Sequence, residues 1–177
     1  TEDDHPDETA GFMETRTPVQ RHGVVIHRML EQLTSGQSRA KVEIQLRQEF
    51  SEQLEEKEFK RCWQEACAVV DRADFRDFFD PTRYREARNE IPILYRDSER
   101  DVYGVIDRLI LREEEIVVID YKTHTRATKE NITQMAEDFS EQMRQYGEGA
   151  RRLWPSKKLR LLLVFTACGG MVELQEI

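Results

Sequence analysis

The stretch 102–122, VYGVIDRLILREEEIVVIDYK, restricts the possible folds of this chain more than any other. Side chains of a β-strand alternate between its two faces. A strand over about 101–111 therefore places Tyr103, Val105, Asp107, Leu109 and Leu111 on one face, and a second over about 116–122 groups Ile116, Val118, Asp120 and Lys122. The charged segment 112–115 between them suits a hairpin connection. If Leu111 pairs with Ile116, Asp107 falls directly opposite Asp120, and a two-residue turn at Glu113-Glu114 sets the same register.

That register carries a physical cost. Paired residues across a hairpin have Cβ atoms ~4.5–5.5 Å apart, and like charges there are destabilising. Each acid also follows an apolar run, where an ionised carboxylate is poorly solvated. One resolution is a raised pKa that neutralises one acid. Another is a divalent cation shared by both carboxylates. A third is a structural Asp120–Lys122–Asp107 salt-bridge cluster at the sheet edge, since Lys122 follows Asp120 by two residues on the same face.

Helical periodicity dominates the chain before this hairpin. Thr17-Pro18 introduces a helix over about 19–33 that stops at Thr34-Ser35-Gly36. Ser38 can cap a second helix with Val42, Ile44, Leu46 and Phe50. A third covers about 53–71 through Leu54, Phe59, Trp63, Ala66 and Val70, before Asp80-Pro81 breaks the pattern. A strand at about 84–95 precedes the hairpin. One long helix over about 130–153 follows it, with apolar residues at 132, 135, 139, 143, 146, 150 and 153. Two closing strands, about 159–166 and 171–176, are joined by Gly169-Gly170. The expected fold class is α/β, with a mixed central sheet that begins as an antiparallel meander and is flanked by helices.

Charge is unevenly spread. The chain's formal charge is −8, and the first 15 residues supply −6 of it without one Lys or Arg. Residues 1–16 therefore read as an acidic disordered leader or linker, and 17–177 as a single domain. No apolar run approaches the ~18 residues of a membrane-spanning helix, and no secretory signal pattern is present. Three scattered cysteines (Cys62, Cys67, Cys168), read as reduced thiols, favour a cytoplasmic location. Low net basicity argues at first sight against nucleic-acid binding. Against it stands the basic segment Arg151, Arg152, Lys157, Lys158 and Arg160, either a contact for a nucleic-acid backbone or a solvated face.

Three further positions draw notice. On the first helix Gly23 and His27 are four residues apart and share a face, so the missing side chain at Gly23 leaves room beside the imidazole. His27 is then a metal ligand or a satisfied, partly buried histidine. On the long helix Gln142 lies beside the apolar stripe, one turn before Tyr146. Its amide needs a partner, which a phosphate or Lys122 can supply, and the alternative is a core-boundary amide beside a core tyrosine. His5, His22 and His124 have no such context and receive no role.

Together, Gly23…His27, Gly104-Val105-Ile106-Asp107-Arg108, Asp120-Tyr121-Lys122-Thr123 and Gln142-x-x-x-Tyr146 resemble the motifs of RecB-type nucleases of the PD-(D/E)XK superfamily. They are most similar to the C-terminal nuclease domain of RecB and AddA (UvrD-like) helicase–nucleases. The resemblance runs from about residue 20 to 165 with the motifs in order. It implies a restriction-endonuclease-like core and an exonuclease V-like, metal-dependent deoxyribonuclease acting on single-stranded DNA in repair or recombination. It further implies Mg²⁺ or Mn²⁺ held by His27, Asp107, Asp120 and the Tyr121 carbonyl, with Lys122 as the catalytic lysine. Gln142 and Tyr146 match the family's helix motif beside the site, and Glu90 is a supporting carboxylate or a solvated one. An oxygen-rich site with one imidazole suits those cations better than Zn²⁺. Some relatives hold an iron–sulfur cluster with four flanking cysteines; this chain has three, unsuitably placed, and no cluster is expected. No GxxxxGK[ST] loop is present, so a helicase motor is expected elsewhere in a longer polypeptide or on a partner subunit. The rival readings are a non-catalytic DNA-binding or scaffold module that retains the fold, and a phosphoesterase acting on small nucleotides.

Overall fold

The computed structural model describes residues 17–98 and 100–175, and the acidic 1–16 segment lies outside the described residues. The chain opens with α1 (Pro18–Leu33), which begins on a reciprocal cap. The Thr17 hydroxyl accepts from the Gln20 N–H, and the Gln20 side chain accepts from the Thr17 N–H. Helix α2 (Arg39–Glu49) follows Ser38, which stands at the cap position without a side-chain cap bond. Val42 and Leu46, one turn apart, take the buried face of α2. Ile44 lies two residues from each, on the opposite side, and is 68% exposed rather than part of the core. Helix α3 (Glu56–Val70) is followed by the one-turn α4 (Arg76–Phe79), which buries Phe78 and Phe79 before Asp80-Pro81.

Five strands then form one sheet in the order β1-β2-β3-β4-β5: β1 (Glu86–Asp97), β2 (Arg100–Leu111), β3 (Glu115–Lys122), β4 (Lys158–Phe165) and β5 (Gly170–Leu174). The first three make an antiparallel meander, β3 and β4 run parallel, and β5 returns antiparallel. Between β3 and β4 the chain crosses over through α5 (Ile132–Glu137) and α6 (Ser140–Leu153). The sheet is mixed and flanked by helices on both faces. Strict alternation in β3 shows how one strand serves two cores. Val117, Ile119 and Tyr121 pack beneath α1 and α3, while Ile116 and Val118 face α6. Asp120 and Lys122 continue the α6-facing series beyond the apolar residues.

Two further expectations need correction. The segment 130–153 is not one helix. The Asp138 and Phe139 amides close back onto the Met135 and Ala136 carbonyls three residues earlier, so the chain tightens and restarts at Ser140. Consequently Leu153 no longer falls on the buried stripe and is 60% exposed. Alternation along β2 also loses step. Ile106 and Leu109, three apart, both pack in the α6-side core, while Tyr103 is 71% exposed. The β1–β2 ladder is interrupted at the same place. Asn89 pairs with Arg108 and Ile91 with Ile106, but Glu90, opposite Asp107, has φ +51° and no pair. A left-handed non-glycine residue costs ~1–3 kcal/mol and persists only where its surroundings hold it. Here Asn89 does so. It accepts from the Arg108 guanidinium at 2.9 Å and donates to the Glu31 carbonyl and Thr34 hydroxyl at the end of α1.

Candidate active site

The hairpin register is the expected one: Leu111 pairs with Ile116 and Arg108 with Ile119. The next position brings Asp107 and Asp120 to the end of the ladder, where β2 and β3 separate. There Asp107 Oδ2 accepts the Tyr121 N–H at 2.7 Å, so the side chain takes over the bond a strand neighbour would have made. Both acids are buried, at 8% and 4% exposure. From one helical layer His27 reaches this point, with Nε2 3.0 Å from the Tyr121 carbonyl oxygen and Nδ1 3.3 Å from Asp107 Oδ1. From the other layer comes α6. Lys122 Nζ lies 2.7 Å from Asp120 Oδ2 and donates to Gln142 Oε1 at 2.8 Å, and the Gln142 amide donates to the Tyr146 hydroxyl at 3.0 Å. The site thus spans the carboxyl end of the parallel pair, with each helical layer contributing.

Two glycines of the sequence motifs serve close approach. A Cβ at Gly104 would stand 2.6 Å from the Tyr146 ring, so Gly104 is what lets α6 lay that tyrosine on β2. A Cβ at Gly23 would meet Thr123 Oγ1 at 3.0 Å. The role of Gly23 is therefore mainly to bring α1 against the end of β3, which in turn delivers His27, rather than to clear space for the imidazole. An open groove of about 510 Å³ beside the site is lined by Gly23, Val24, His27, Arg28, Glu31 and Glu90.

The electrostatics are strained. Burial, then the neighbouring Asp107 charge, push the Asp120 carboxyl well above the usual carboxylate range, although Lys122 pulls the other way. Asp120 Oδ2 is fully buried and has no hydrogen bond of good geometry, even with Lys122 Nζ at 2.7 Å. Burial and the charges of Asp107 and Glu31 likewise raise the Glu90 carboxyl. Burial disfavours charge on His27, but Asp107, Asp120 and the Tyr121 carbonyl outweigh it and raise its pKa. Tyr146 is pushed up to about 12 by burial and by the two carboxylates. Among the described residues no three His, Cys, Asp or Glu side chains already form a cage for a metal ion. The donor chemistry nonetheless fits a hard cation. Two carboxylates, a backbone carbonyl and an imidazole converge, one carboxylate oxygen lacks a proper partner, and positive charge placed there would relieve the repulsion.

Other sequence candidates fall elsewhere. The basic segment is not aimed at the site. Arg160 pairs with Glu173 and Glu115, Lys157 donates to the Arg112 and Glu113 carbonyls, and Arg152 pairs with Glu148. Glu115 and Lys158 begin the parallel ladder that ends at Lys122, so Lys157, Lys158 and Arg160 sit at the opposite end of the sheet. Cys62, Cys67 and Cys168 are free thiols. Sequence reasoning missed His22, whose Nε2 lies 3.1 Å from Glu65 and whose Nδ1 is 3.4 Å from Cys62 Sγ. Glu65 accepts in turn from the Thr166 hydroxyl, and the Thr166 N–H is bonded to the Lys122 carbonyl. No periodicity signals that cluster, because α1, α3 and the end of β4 meet only in the folded chain.

A mixed sheet begun by a meander, with two acids and a lysine at the end of its central hairpin, defines a restriction-endonuclease-like nuclease fold. The family model of the PD-(D/E)XK nuclease superfamily matches residues 8–173, and the chain belongs to that superfamily. Its members generally use divalent metals such as Mg²⁺. A solved structure of a protein provisionally named an exonuclease, from Eubacterium rectale, shares the fold at a TM-score of 0.55 and 12% identity, over 96% of this chain. A second, protein VC1899 from Vibrio cholerae, aligns at 14% identity over 93% of this chain with a TM-score of 0.34. This chain spans 64% and 48% of the lengths of those two proteins. No curated protein sequence matches it.

Proposed function

We propose that this domain is a RecB-type nuclease that hydrolyses phosphodiester bonds of single-stranded DNA with Mg²⁺ or Mn²⁺. Its strand would be delivered by a helicase motor in the same polypeptide or on a partner, in cytoplasmic DNA repair or recombination. The observation that carries the reading is the meeting of Asp107, Asp120, His27 and Lys122 at one end of the sheet, with the first two in mutual repulsion. Asp107, Asp120, His27 and the Tyr121 carbonyl would hold the cation, which polarises the scissile phosphate and acidifies the attacking water. Lys122 orients that water and offsets charge growing on the phosphate, and no covalent enzyme intermediate is needed. Gln142 fixes Lys122 from α6, and Tyr146 fixes Gln142. Every position retains competent chemistry, which favours catalysis over a scaffold module. The strand preference and the motor come from the motif resemblance.

The test is end-labelled single-stranded DNA incubated with Mn²⁺ and either the native chain or Asp120→Ala. Cleavage by the native chain alone is expected. Equal degradation by both would discard the assignment, and turnover of mononucleotides without polymer cleavage would replace it with a small-molecule phosphoesterase.

A further inference from the structure

We propose that Phe139 is a positioning residue for Lys122, its ring forming the third wall that holds the ammonium in place. The proposal rests on the nuclease reading of the site and names a residue that reading did not require. Lys122 Nζ has two polar neighbours, Asp120 Oδ2 at 2.7 Å and Gln142 Oε1 at 2.8 Å. It also lies 4.0 Å from the centroid of the Phe139 ring, well inside the range where a cation is attracted to an aromatic face. The ring is braced on another side by His124, with centroids 5.4 Å apart and planes tilted by 52°.

The backbone explains why an aromatic ring stands there. Phe139 is the residue at which the chain breaks between α5 and α6, with φ −105° and ψ 0°. The break turns Phe139 toward Lys122, and Gln142, three residues on, faces the same ammonium from the next turn. Lysine has a flexible four-carbon stem and three donors, so two contacts leave its head free to pivot about them. A ring face supplies a third contact that is attractive to the cation yet cannot accept its proton. It also occupies ground where water would otherwise solvate the ammonium. A residue needed only to fill space between helices would have no reason to present its face to a charge.

The two roles separate by substitution. Phe139→Leu and Phe139→Met keep apolar volume and lose the ring, whereas Phe139→Tyr keeps it. Steady-state cleavage of single-stranded DNA with Mn²⁺ should show kcat about 10-fold lower in the Leu and Met variants, KM within about twofold of native, and Tyr restoring most of the rate. A second readout needs neither metal nor DNA. With carbon-13-labelled lysine, the Lys122 ε-methylene protons should resonate upfield of the other lysines in the native and Tyr chains, through the ring current, and lose that shift in Leu and Met. Native kcat in both Leu and Met, or equal losses in Leu and Tyr, would overturn the proposal. A native chain that cleaves no nucleic acid but shows the shifted ε-protons would fell the nuclease reading while keeping the contact. Cleavage without the shift would fell the contact alone.

Discussion

Two histidines five residues apart on α1 face carboxylates, and their surroundings could hardly differ more. His22 is nearly enclosed, its side chain 9% exposed, and it is matched to one acid, Glu65. The pair shifts in the cooperative direction. Hydrogen-bonding contact of the imidazole with Cys62, and then with Glu65, raises His22 to about 9. The Glu65 carboxyl is lowered, because His22 and Thr166 overcome the cost of burial. His27, 33% exposed at the edge of a groove, meets Asp107 with Asp120 and Glu90 close by, and both of the latter are pushed up. In the first cluster each group favours its partner's charge, which stabilises the fold. In the second, carboxylates oppose one another and the fold tolerates the cost, a pattern that clusters at functional sites. Both histidines are raised; what differs is that the carboxylate beside His22 is lowered while Asp120 and Glu90 beside His27 are raised.

The comparison can be broken most decisively through activity. Asp120→Ala and Lys122→Ala should each lower single-turnover cleavage of single-stranded DNA by about 10³-fold or more, with native circular dichroism. His22→Ala should leave the cleavage rate near native well below its melting temperature. A large loss of rate there would show that the His22 cluster is not merely structural.

Stability should show the reverse order. His22→Ala leaves Glu65 without its buried partner and should cost about 2–3 kcal/mol in urea unfolding, whereas His27→Ala should cost under ~1 kcal/mol. Equal costs would erase the distinction.

Next comes the charge strain itself. With chelator at pH 8, Asp120→Asn should melt about 2–4 °C above the native chain, because a buried, repelled carboxylate has been removed. A raised acid imposes its cost above its folded pKa and none below the ordinary value of 3.8, so the gap should close toward pH 4. Mn²⁺ should raise the native melting temperature and leave Asp120→Asn unmoved. An Asp120→Asn chain less stable than native under chelator would refute the strain.

The same contrast can be read from the pH dependence of the His22 pair. A histidine raised from 6.5 to about 9 contributes fully below 6.5, and that contribution fades as pH rises through about 9. The groups facing it are Cys62 and Glu65, with Arg61 acting on Glu65. The native chain should therefore lose stability between pH 6.5 and 9.5, and His22→Gln should show a flatter profile over that range.

The candidate site was unusually legible before folding, since its main elements are local. Strand alternation places Asp120 and Lys122 on one face, and a four-residue connection sets the register that carries Asp107 to Asp120. Helical spacing puts Gln142 one turn from Tyr146. Those inferences use periods of two and 3.6 over a few residues, where backbone geometry leaves little choice.

They fail where distant segments compete. Ile44 has the right polarity for a core but sits opposite Val42 and Leu46. Phe139 lies on a plausible stripe, yet the chain tightens there and turns it to Lys122. Tyr103 should share a face with Asp107, but the Asn89 clamp on Arg108 and α1 holds Glu90 left-handed and shifts the phase. The basic segment looks suited to a backbone contact until the parallel register of β3 and β4 carries Lys157, Lys158 and Arg160 to the far end of the sheet.

Local chemistry alone thus dictated the hairpin, its register and the pairing of two acids with a lysine, because these depend on peptide geometry over about 20 residues. The packed chain decided which helix faces the hairpin, which histidine is balanced by one acid and which is left among several, and what braces Lys122. Those outcomes turn on contacts between residues far apart in the chain, and a side chain's environment is a property of everything that packs around it.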